Sequence, residues 1–402
     1  MDDNTVPHGS TVTLSSVEGD LEVGKHATIK GEKITVSGTV YCEGHCTFEG
    51  SLSAESLEGE DDVTISGDLQ VSDRVSVEDG HLTVSGNLKA ERVEVDHSLR
   101  VGKNFEAKEV DIGGSLKIGG NAAVEEIDVG GTFEADGTVK AGTIEAGGSA
   151  VVNSKVDAGN IDVGGSVRIN GGRVGKVDVG GSFQSSDSLE FESIDVGGVV
   201  RLSGDKNVGG DIDVGGSCKI EGNLKFVTLE VGGTIDISGN GEGEDIDVGG
   251  RVTVGKELRL SGELDVGGRA EVGEKLSARE IDVGGSLQAR QVMVAGEVEV
   301  GGSIETVEGT TAESVRIGRR GEVKGPIHAK EVVVGERARV EDVYADRIVL
   351  EEKAQARNLY GKNIHLEYKS EVSGEVQYTE NLKTEESVHL VKQPKKVDHV
   401  PQ

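Results

Sequence analysis

Tryptophan is absent from the 402-residue chain, which also has only 4 Pro, 3 Cys and 3% aromatic residues. A compact core anchored on aromatic rings is therefore not expected. Three cysteines, an odd number without the spacing of a small disulfide scaffold, indicate a reducing compartment. No apolar run approaches the roughly 18 residues of a membrane span, and residues 1–7 lack the features of a signal peptide. We expect a cytoplasmic protein without membrane insertion and with a thin core of Val, Ile and Leu.

Positive charge is also scarce, because 42 Lys and Arg stand against 73 Asp and Glu, a formal net charge of −31. This excess of negative charge repels phosphate backbones and anionic lipids, so no nucleic-acid partner is expected. Residues 1–100, 101–302 and 303–402 carry −13, −16 and −2, respectively. The C-terminal part of the chain is therefore chemically distinct.

Glycine is abundant, at 62 residues, and much of it belongs to a repeat. A phrase of one apolar, one acidic and one apolar residue followed by Gly-Gly recurs at intervals of 16 to 18 residues. It begins at Val110, Ile127, Ile144, Ile161, Val177, Ile194, Ile212, Leu229, Ile246, Leu264, Ile281 and Val298. A decayed phrase keeps the period upstream at Leu21, Val40, Leu57, Val75 and Val93, and downstream at Val315, Val332, Ile348 and Ile364. The repeat predicts 21 coils.

Within one coil the apolar residues alternate with polar ones, as at Ile161 and Val163 and again at Val167 and Ile169. This period of two is typical of strands buried on one face. A coil of about 17 residues cannot bury a core alone, whereas stacked coils pair every strand with its neighbours. The sequence predicts an all-β, single-stranded parallel β-solenoid with three short strands per coil, and we favour a right-handed one.

The repeat divides the chain into five predicted segments. An N-terminal tail covers residues 1–10, acidic coils with a degenerate repeat cover 11–109, and regular Gly-Gly coils cover 110–302. Near-neutral coils cover 303–391 and a C-terminal tail covers 392–402. We expect the glycine pairs to form corners that use positive φ. Phosphate cradling by such glycines needs a following helix, which no segment predicts, so no cofactor is expected.

The stretch Ile327–Val340, which reads IHAKEVVVGERARV, resembles the repeat of the bactofilin family. The likeness is closest over residues 300–380 and looser over 21–299. Bactofilins are polymer-forming cytoskeletal proteins with right-handed β-helices that associate end to end without nucleotide. The resemblance implies a scaffold role, although family members usually carry a much shorter helix.

A cluster of Cys42, His45 and Cys46, with His26 one coil earlier and Asp61 and Asp62 one coil later, has the residue types of a zinc site. Register argues against metal binding, because Cys42 and Cys46 fall at inward apolar positions, as Cys218 does. We therefore favour buried structural cysteines and expect no metal.

The acidic residue of the phrase points outward in every coil and predicts an acidic column, a sizeable source of repulsion. Its members are Asp111, Asp128, Glu145, Asp162, Asp178, Asp195, Asp213, Glu230, Asp247, Asp265, Asp282 and Glu299. Nearby cations of the next face, such as Lys117, are expected to offset part of the repulsion. The column is either a binding stripe for a cation or protein partner or, as we favour, a solvated face.

Tyr344, Tyr360 and Tyr378 recur once per coil and predict an outward aromatic column. They form either a contact surface or a simple stack of rings, and the sequence favours neither.

The terminal coils expose unpaired backbone and lack a capping helix, so Val12 and Val376 are the predicted self-assembly positions.

The coil spacing leaves no room for catalytic loops, and no nucleophile or metalloprotease motif occurs, so an enzyme is not expected. We predict a structural scaffold that assembles with itself, end to end, into nucleotide-independent filaments. The alternative is a β-rod that does not polymerise and serves as a spacer or docking platform for a protein partner.

Overall fold

The computed structural model describes residues 4–401. These residues contain no α-helix, and their strands form a parallel β-solenoid of about 23 turns with ~17 residues per turn. The predicted fold class is therefore confirmed, while the handedness stays a prediction. The chain divides into two compact units after Leu202.

The strands of the first unit are short and follow one another with one- to four-residue connections. They are Thr5–Val6, Thr11–Thr13, Ser16–Val17, Leu21–Val23, Thr28–Val36, Thr39–Cys42, Cys46–Ala54, Ser56–Gly59, Val63–Ile65, Leu69–Val71, Arg74–Val77, His81–Val84, Leu88–Lys89, Arg92–Val95, Ser98–Val101, Phe105–Ile112, Ser115–Ile118, Ala122–Val129, Thr132–Ala135, Val139–Ala146, Ser149–Val152, Val156–Val163, Ser166–Ile169, Gly172–Val179, Ser182–Ser185, Leu189–Val196 and Val199–Ser203.

The second unit has the same strand pattern, with its longest strands near the C-terminal end. They are Asn207–Val208, Asp211–Val214, Ser217–Glu221, Leu224–Lys225, Thr228–Val231, Thr234–Ile237, Gly241–Gly243, Asp245–Val248, Arg251–Val254, Leu258–Leu260, Glu263–Val266, Arg269–Ala278, Glu280–Val283, Ser286–Val294, Glu297–Val300, Ser303–Thr311, Ser314–Ile317, Glu322–Lys324, Ile327–Val334, Arg339–Leu350, Gln355–Leu366, Glu371–Val372, Val376–Thr384, His389–Leu390 and Lys395–Lys396.

The alternation within each strand places the core where the sequence predicts it. In Ser166–Ile169, Val167 and Ile169 are buried while Ser166 and Arg168 are exposed. Hydrogen bonding to the turn before and the turn after satisfies the backbone, so the thin aliphatic core needs no helix to cover it. Each turn has three faces, which we number from the strand that carries the phrase. In the regular turns the strand of the third face continues into the first face of the next turn as one bent strand, such as Ala122–Val129.

The solenoid has one more turn at each end than the 21 counted from the sequence. Near the N-terminus Val6 pairs with Val23, and near the C-terminus Leu382 pairs with Ile364. Each of these end turns keeps only one of the two apolar residues of the phrase. The repeat search missed them for that reason.

The corner between the first and second faces is made by the Gly-Gly pairs, but not for the expected reason. None of the twelve glycine pairs that end the phrase, from Gly113-Gly114 to Gly301-Gly302, has a φ in the left-handed region. Instead, a Cβ added to Gly165 would lie 2.3 Å from the carbonyl oxygen of Gly148 in the preceding turn, and one on Gly164 would lie 2.5 Å from that of Gly147. Glycine is required here because the backbones of consecutive turns approach too closely for a side chain.

Other turns use a left-handed residue at this corner, and it is usually not glycine. In the first unit these residues are His26, His45 and Asp79. In the second unit they are Arg320, Arg337, Lys353, Lys369 and Ser387. At Arg337 the corner closes as a β-turn, in which the Ala338 N–H donates to the Gly335 carbonyl at 3.0 Å.

Candidate functional site

The three cysteine side chains lie in the core as free thiols. Cys42 and Cys46 are 2% and 1% exposed, and Cys218 is 1% exposed. The hydrogen bond with Cys46, together with burial, raises the pKa of the Cys42 thiol. Burial raises the pKa of Cys218 to about 12. The raised pKa keeps the Cys42 and Cys218 thiols neutral and disfavours them as metal ligands, because a thiolate is the binding form. The hydrogen bond with Cys42 lowers the pKa of the Cys46 thiol, whose side chain nevertheless lies in the core.

The histidines of the predicted cluster lie outside the core, at the corner between the first and second faces. The imidazole rings of His26 and His45 stack with centroids 5.0 Å apart. His45 also lies beside Asp61 and Asp62 of the following turn, at 3.5 and 3.4 Å. The structure thus separates the histidines from the buried thiols and places carboxylates next to His45.

The acidic residues of the phrase form an exposed column on the first face of each unit. Consecutive members are register partners on neighbouring strands. In the first unit the column comprises Glu94, Asp111, Asp128, Glu145, Asp162, Asp178 and Asp195. In the second unit it comprises Asp213, Glu230, Asp247, Asp265, Asp282 and Glu299.

Like charges in this column raise the cost of ionisation. Partial burial, and after it the charge of Asp128, raises the pKa of Asp111. Partial burial, then Asp247 and Asp282, raises the pKa of Asp265. The expected compensation by Lys117 does not occur, because Lys117 Nζ lies 2.8 Å from Glu134 Oε1 on its own face. Glu94 forms an ion pair with Arg74, whereas the register partners of Asp111 and Asp128 on both sides are carboxylates.

The third face of the first unit carries a different column, in which opposite charges alternate. Lys140, Asp157, Arg173 and Glu190 are successive register partners. Lys140 Nζ lies 3.6 Å from Asp157, and Arg173 lies 3.5 Å from Glu190. Opposite charges directly across neighbouring strands are favourable. The sequence analysis missed this column, although opposite charges at the spacing of one coil are its visible signal.

An asparagine ladder at the corner before the third face was also missed. The Asn104 and Asn121 N–H groups donate to the side-chain oxygens of Asn87 and Asn104, at 3.2 and 3.0 Å. In the second unit the Asn240 N–H donates to Asn223 Oδ1 at 2.8 Å. The recurrence of Asn at one coil spacing could have revealed it. These bonds satisfy backbone donors at a bend and so have a structural role.

The predicted tyrosine column is present in part. Tyr344 stacks on Tyr360 with ring centroids 4.9 Å apart, and His328 stacks on Tyr344 at 4.6 Å. The prediction is wrong for Tyr378, because Gln377 is the register partner of Tyr360. Tyr360 is only 9% exposed, which favours the interpretation as a stack of rings.

At the N-terminal end of the first unit, three apolar residues that follow the buried Val6 are only half-buried. Val12, Leu14 and Val17 are in this state. Strand Thr11–Thr13 pairs with Thr28–Val36, and no strand within residues 4–401 pairs with its other edge. The Val12 position therefore lies beside an open strand edge.

At the C-terminal end of the second unit, Leu382, Val388 and Leu390 are half-buried and Val391 is 59% exposed. Strand His389–Leu390 has one pairing among the described residues. The predicted position Val376 is instead 1% exposed, because residues 392–397 run along the outer edge of its strand. The partly exposed apolar residues at this end therefore lie around Leu390 rather than at Val376.

Within residues 4–401 there is no helix of the length and hydrophobicity that a bilayer crossing requires. A scan against protein-family models finds no match, and searches of the curated proteins and of the solved structures find none either. The resemblance of residues 300–380 to the bactofilins stays a prediction from the sequence.

Proposed function

We propose that this chain is a non-enzymatic cytoplasmic scaffold that assembles with other copies of itself through its terminal turns into nucleotide-independent filaments. The observation that carries the proposal is the combination of half-exposed apolar residues and open strand edges at Val12 and Leu390. An open edge offers unpaired N–H and C=O groups to an incoming strand. The resemblance of residues 300–380 to the bactofilins points in the same direction.

Apolar burial would supply the driving force for this association. Val12, Leu14 and Val17 at one end, and Leu382, Val388 and Leu390 at the other, are each partly accessible to water. Covering such side chains stabilises a complex by about 25 cal/mol per Å² of apolar surface. Repeat proteins normally carry a polar outer face on their terminal repeats. In these two turns Val12 and Leu390 instead keep apolar surface accessible to water.

The test is negative-stain electron microscopy and sedimentation of the full chain without nucleotide, at low and at molar salt. We expect filaments for the natural sequence and discrete particles for Val12→Lys and Leu390→Lys, because a buried unpaired ammonium opposes end contact. Thr13→Lys and His389→Lys are matched controls, since both residues are exposed neighbours on the same strands. These controls should still assemble.

Discrete particles of the natural sequence at every salt concentration would contradict the proposal. Equal assembly of Leu390→Lys and His389→Lys would contradict the role of the apolar end residues. Val376→Lys is not informative, because its side chain lies in the core and a charge there would disrupt the fold.

A second candidate function is a docking platform for a protein partner, and the acidic column favours it. Within residues 4–401, Asp111, Asp128 and Asp162 form no ion pair with a Lys, Arg or His of the chain. A basic partner would neutralise such a surface. This candidate predicts binding that weakens steeply with salt and persists in Leu390→Lys.

A further inference from the structure

One corner of the first unit combines imidazole and carboxylate groups that no part of the proposed scaffold role uses. His26 and His45 occupy the left-handed corner position in consecutive turns, with φ of 58° and 48°. Asp61 and Asp62 occupy the same corner in the next turn. The corner thus collects four potential metal ligands from three turns.

The two carboxylates are oriented by backbone hydrogen bonds. The Asp62 N–H donates to Asp61 Oδ1 at 2.8 Å, and the His81 N–H donates to Asp62 Oδ1 at 3.0 Å. The second oxygen of each carboxylate faces His45, with Asp61 Oδ2 3.5 Å from Nε2 and Asp62 Oδ2 3.4 Å from Nδ1. Each carboxylate therefore keeps one oxygen for the backbone and presents the other to the imidazole.

Close packing holds this arrangement. Gly44 precedes His45 with a φ of 138°, and a Cβ added there would lie 2.9 Å from the Cβ of Asp61. Asp61 can approach the corner because residue 44 has no side chain. His26 stacks on His45 with ring planes 20° apart, which places a second imidazole at the corner.

The ion pairs of His45 with Asp61 and Asp62 contribute little to the stability of the fold. The side chains of His45, Asp61 and Asp62 are 46%, 37% and 43% exposed, and exposed ion pairs contribute ~0–1 kcal/mol. One ligand atom from each of these three residues falls within 4.8 Å of the others. Ligands of a tetrahedral zinc ion lie about 2.0–2.2 Å from the metal, so rotation of half-exposed side chains can close the set around one ion.

The ligand chemistry selects the class of ion. Imidazole suits zinc, copper and nickel, whereas calcium takes 6–8 oxygen ligands and magnesium keeps several waters. The thiols of Cys42 and Cys46 lie in the core beneath the corner and do not contribute. We propose that the corner binds one divalent transition-metal ion of the zinc class through His45, Asp61 and Asp62, with the His26 imidazole beside it and water completing the coordination.

The test uses the full chain, stripped with a chelator and then titrated with Zn²⁺ alone in a calorimeter. Co²⁺ absorption provides a second readout that reports the ligand geometry. We expect one strong equivalent of Zn²⁺, with binding at least about 10-fold weaker in His45→Asn and in Asp61→Asn. Asparagine keeps a hydrogen-bond acceptor at residue 61 and tolerates the left-handed backbone at residue 45, so both variants should fold.

The matched controls are Asp128→Asn, which removes an exposed carboxylate from the same unit, and His97→Asn, which removes an imidazole elsewhere along this corner. Both should bind Zn²⁺ as the natural sequence does. No strong equivalent in the natural sequence would overturn the proposal, as would equal binding by His45→Asn and His97→Asn. Displacement of Zn²⁺ by equimolar Ca²⁺ or Mg²⁺ would also overturn it, because the site would then lack the proposed selectivity. Filament formation is measured separately, so its failure leaves the metal result interpretable.

Discussion

The corner between the first and second faces is built differently in the Gly-Gly turns and in the C-terminal turns. Around Gly165 the corner has two residues, and consecutive backbones stack without side chains between them. Around Arg337 and Lys353 it is a four-residue β-turn with a left-handed residue, at φ of 60° and 62°. Both kinds of corner connect strands with the same inward pattern of apolar residues. The core packing therefore does not determine the backbone conformation of the corner.

The difference extends to the surface beside the corner. In the Gly-Gly turns of the second unit the outward position of the first face is acidic up to Glu299. The register partners that follow are Arg316, Val333, Val349 and His365. The same position therefore changes from an acidic column to a mostly uncharged one, which is one part of the near-neutral charge of the C-terminal segment.

The largest expected effect separates the two kinds of corner. Gly165→Ala should lower the free energy of unfolding by about 3–5 kcal/mol, because the new Cβ would lie 2.3 Å from a backbone oxygen that cannot move freely. Urea unfolding followed by circular dichroism measures it. Gly296→Ala is the control, since its Cβ would lie 3.0 Å from the nearest atom, and it should cost less than about 1 kcal/mol.

The reciprocal change tests the C-terminal corner. Lys353→Gly should leave the stability within about 1 kcal/mol of the natural value, because glycine relieves the left-handed conformation while loosening the unfolded chain. A loss as large as that of Gly165→Ala would show that the two corners do not differ in the way described.

The aromatic stack should contribute less than a Gly-Gly corner. Tyr344→Leu removes ring contacts with both His328 and Tyr360 and should cost about 1–2 kcal/mol. Tyr378→Leu is the matched control, because Tyr378 is the register partner of Gly361 rather than of a ring. Equal losses in the two variants would contradict the importance of the stack.

The C-terminal turns should lose stability in acid, because a carboxylate there is stabilised in its charged form. Hydrogen bonds from Arg357, at 2.9 and 2.5 Å, lower the pKa of Asp342 below its ordinary value of 3.8. The stabilisation by this ion pair is present above pH 3.8 and is lost as the pH falls through the lower pKa that Asp342 has in the folded state. Asp342→Asn should cost about 1 kcal/mol at neutral pH, and this cost should disappear in acid. Thermal unfolding across pH measures the difference.

The acidic column should show the smallest effect and the opposite sign. The pKa of Asp111 is raised above 3.8, so the folded state binds its proton more readily than the unfolded state. The contribution of Asp111 to the free energy of unfolding falls as the pH rises from 3.8 through the pKa that Asp111 has in the folded state. Asp111→Asn should therefore stabilise the chain by about 0.5 kcal/mol at neutral pH and low salt. The gain should vanish at molar salt, and a loss of stability would contradict net repulsion in the column.

The repeat allowed most of the fold to be predicted, because alternation with period two marks which residues face the core. Val167, Ile169 and Cys218 are buried as that pattern requires. The sequence showed His26 and His45 close to Cys42 and Cys46. The two thiols lie in the core, so they do not take part in a site with the histidines. The carboxylates that meet His45 come from the next turn, where spacing alone does not fix the atoms in contact.

The sequence by itself determined the strands, the coil length and the inward residues of this protein, since those depend on local alternation and periodicity. Only the tertiary structure decided the lateral register. Tyr360 and Tyr378 are 18 residues apart, yet the additional residue lies after Tyr378, so Gln377 takes the place beside Tyr360. It also decided why the corners need glycine, because the 2.3 Å approach at Gly165 exists only when one turn is stacked on another.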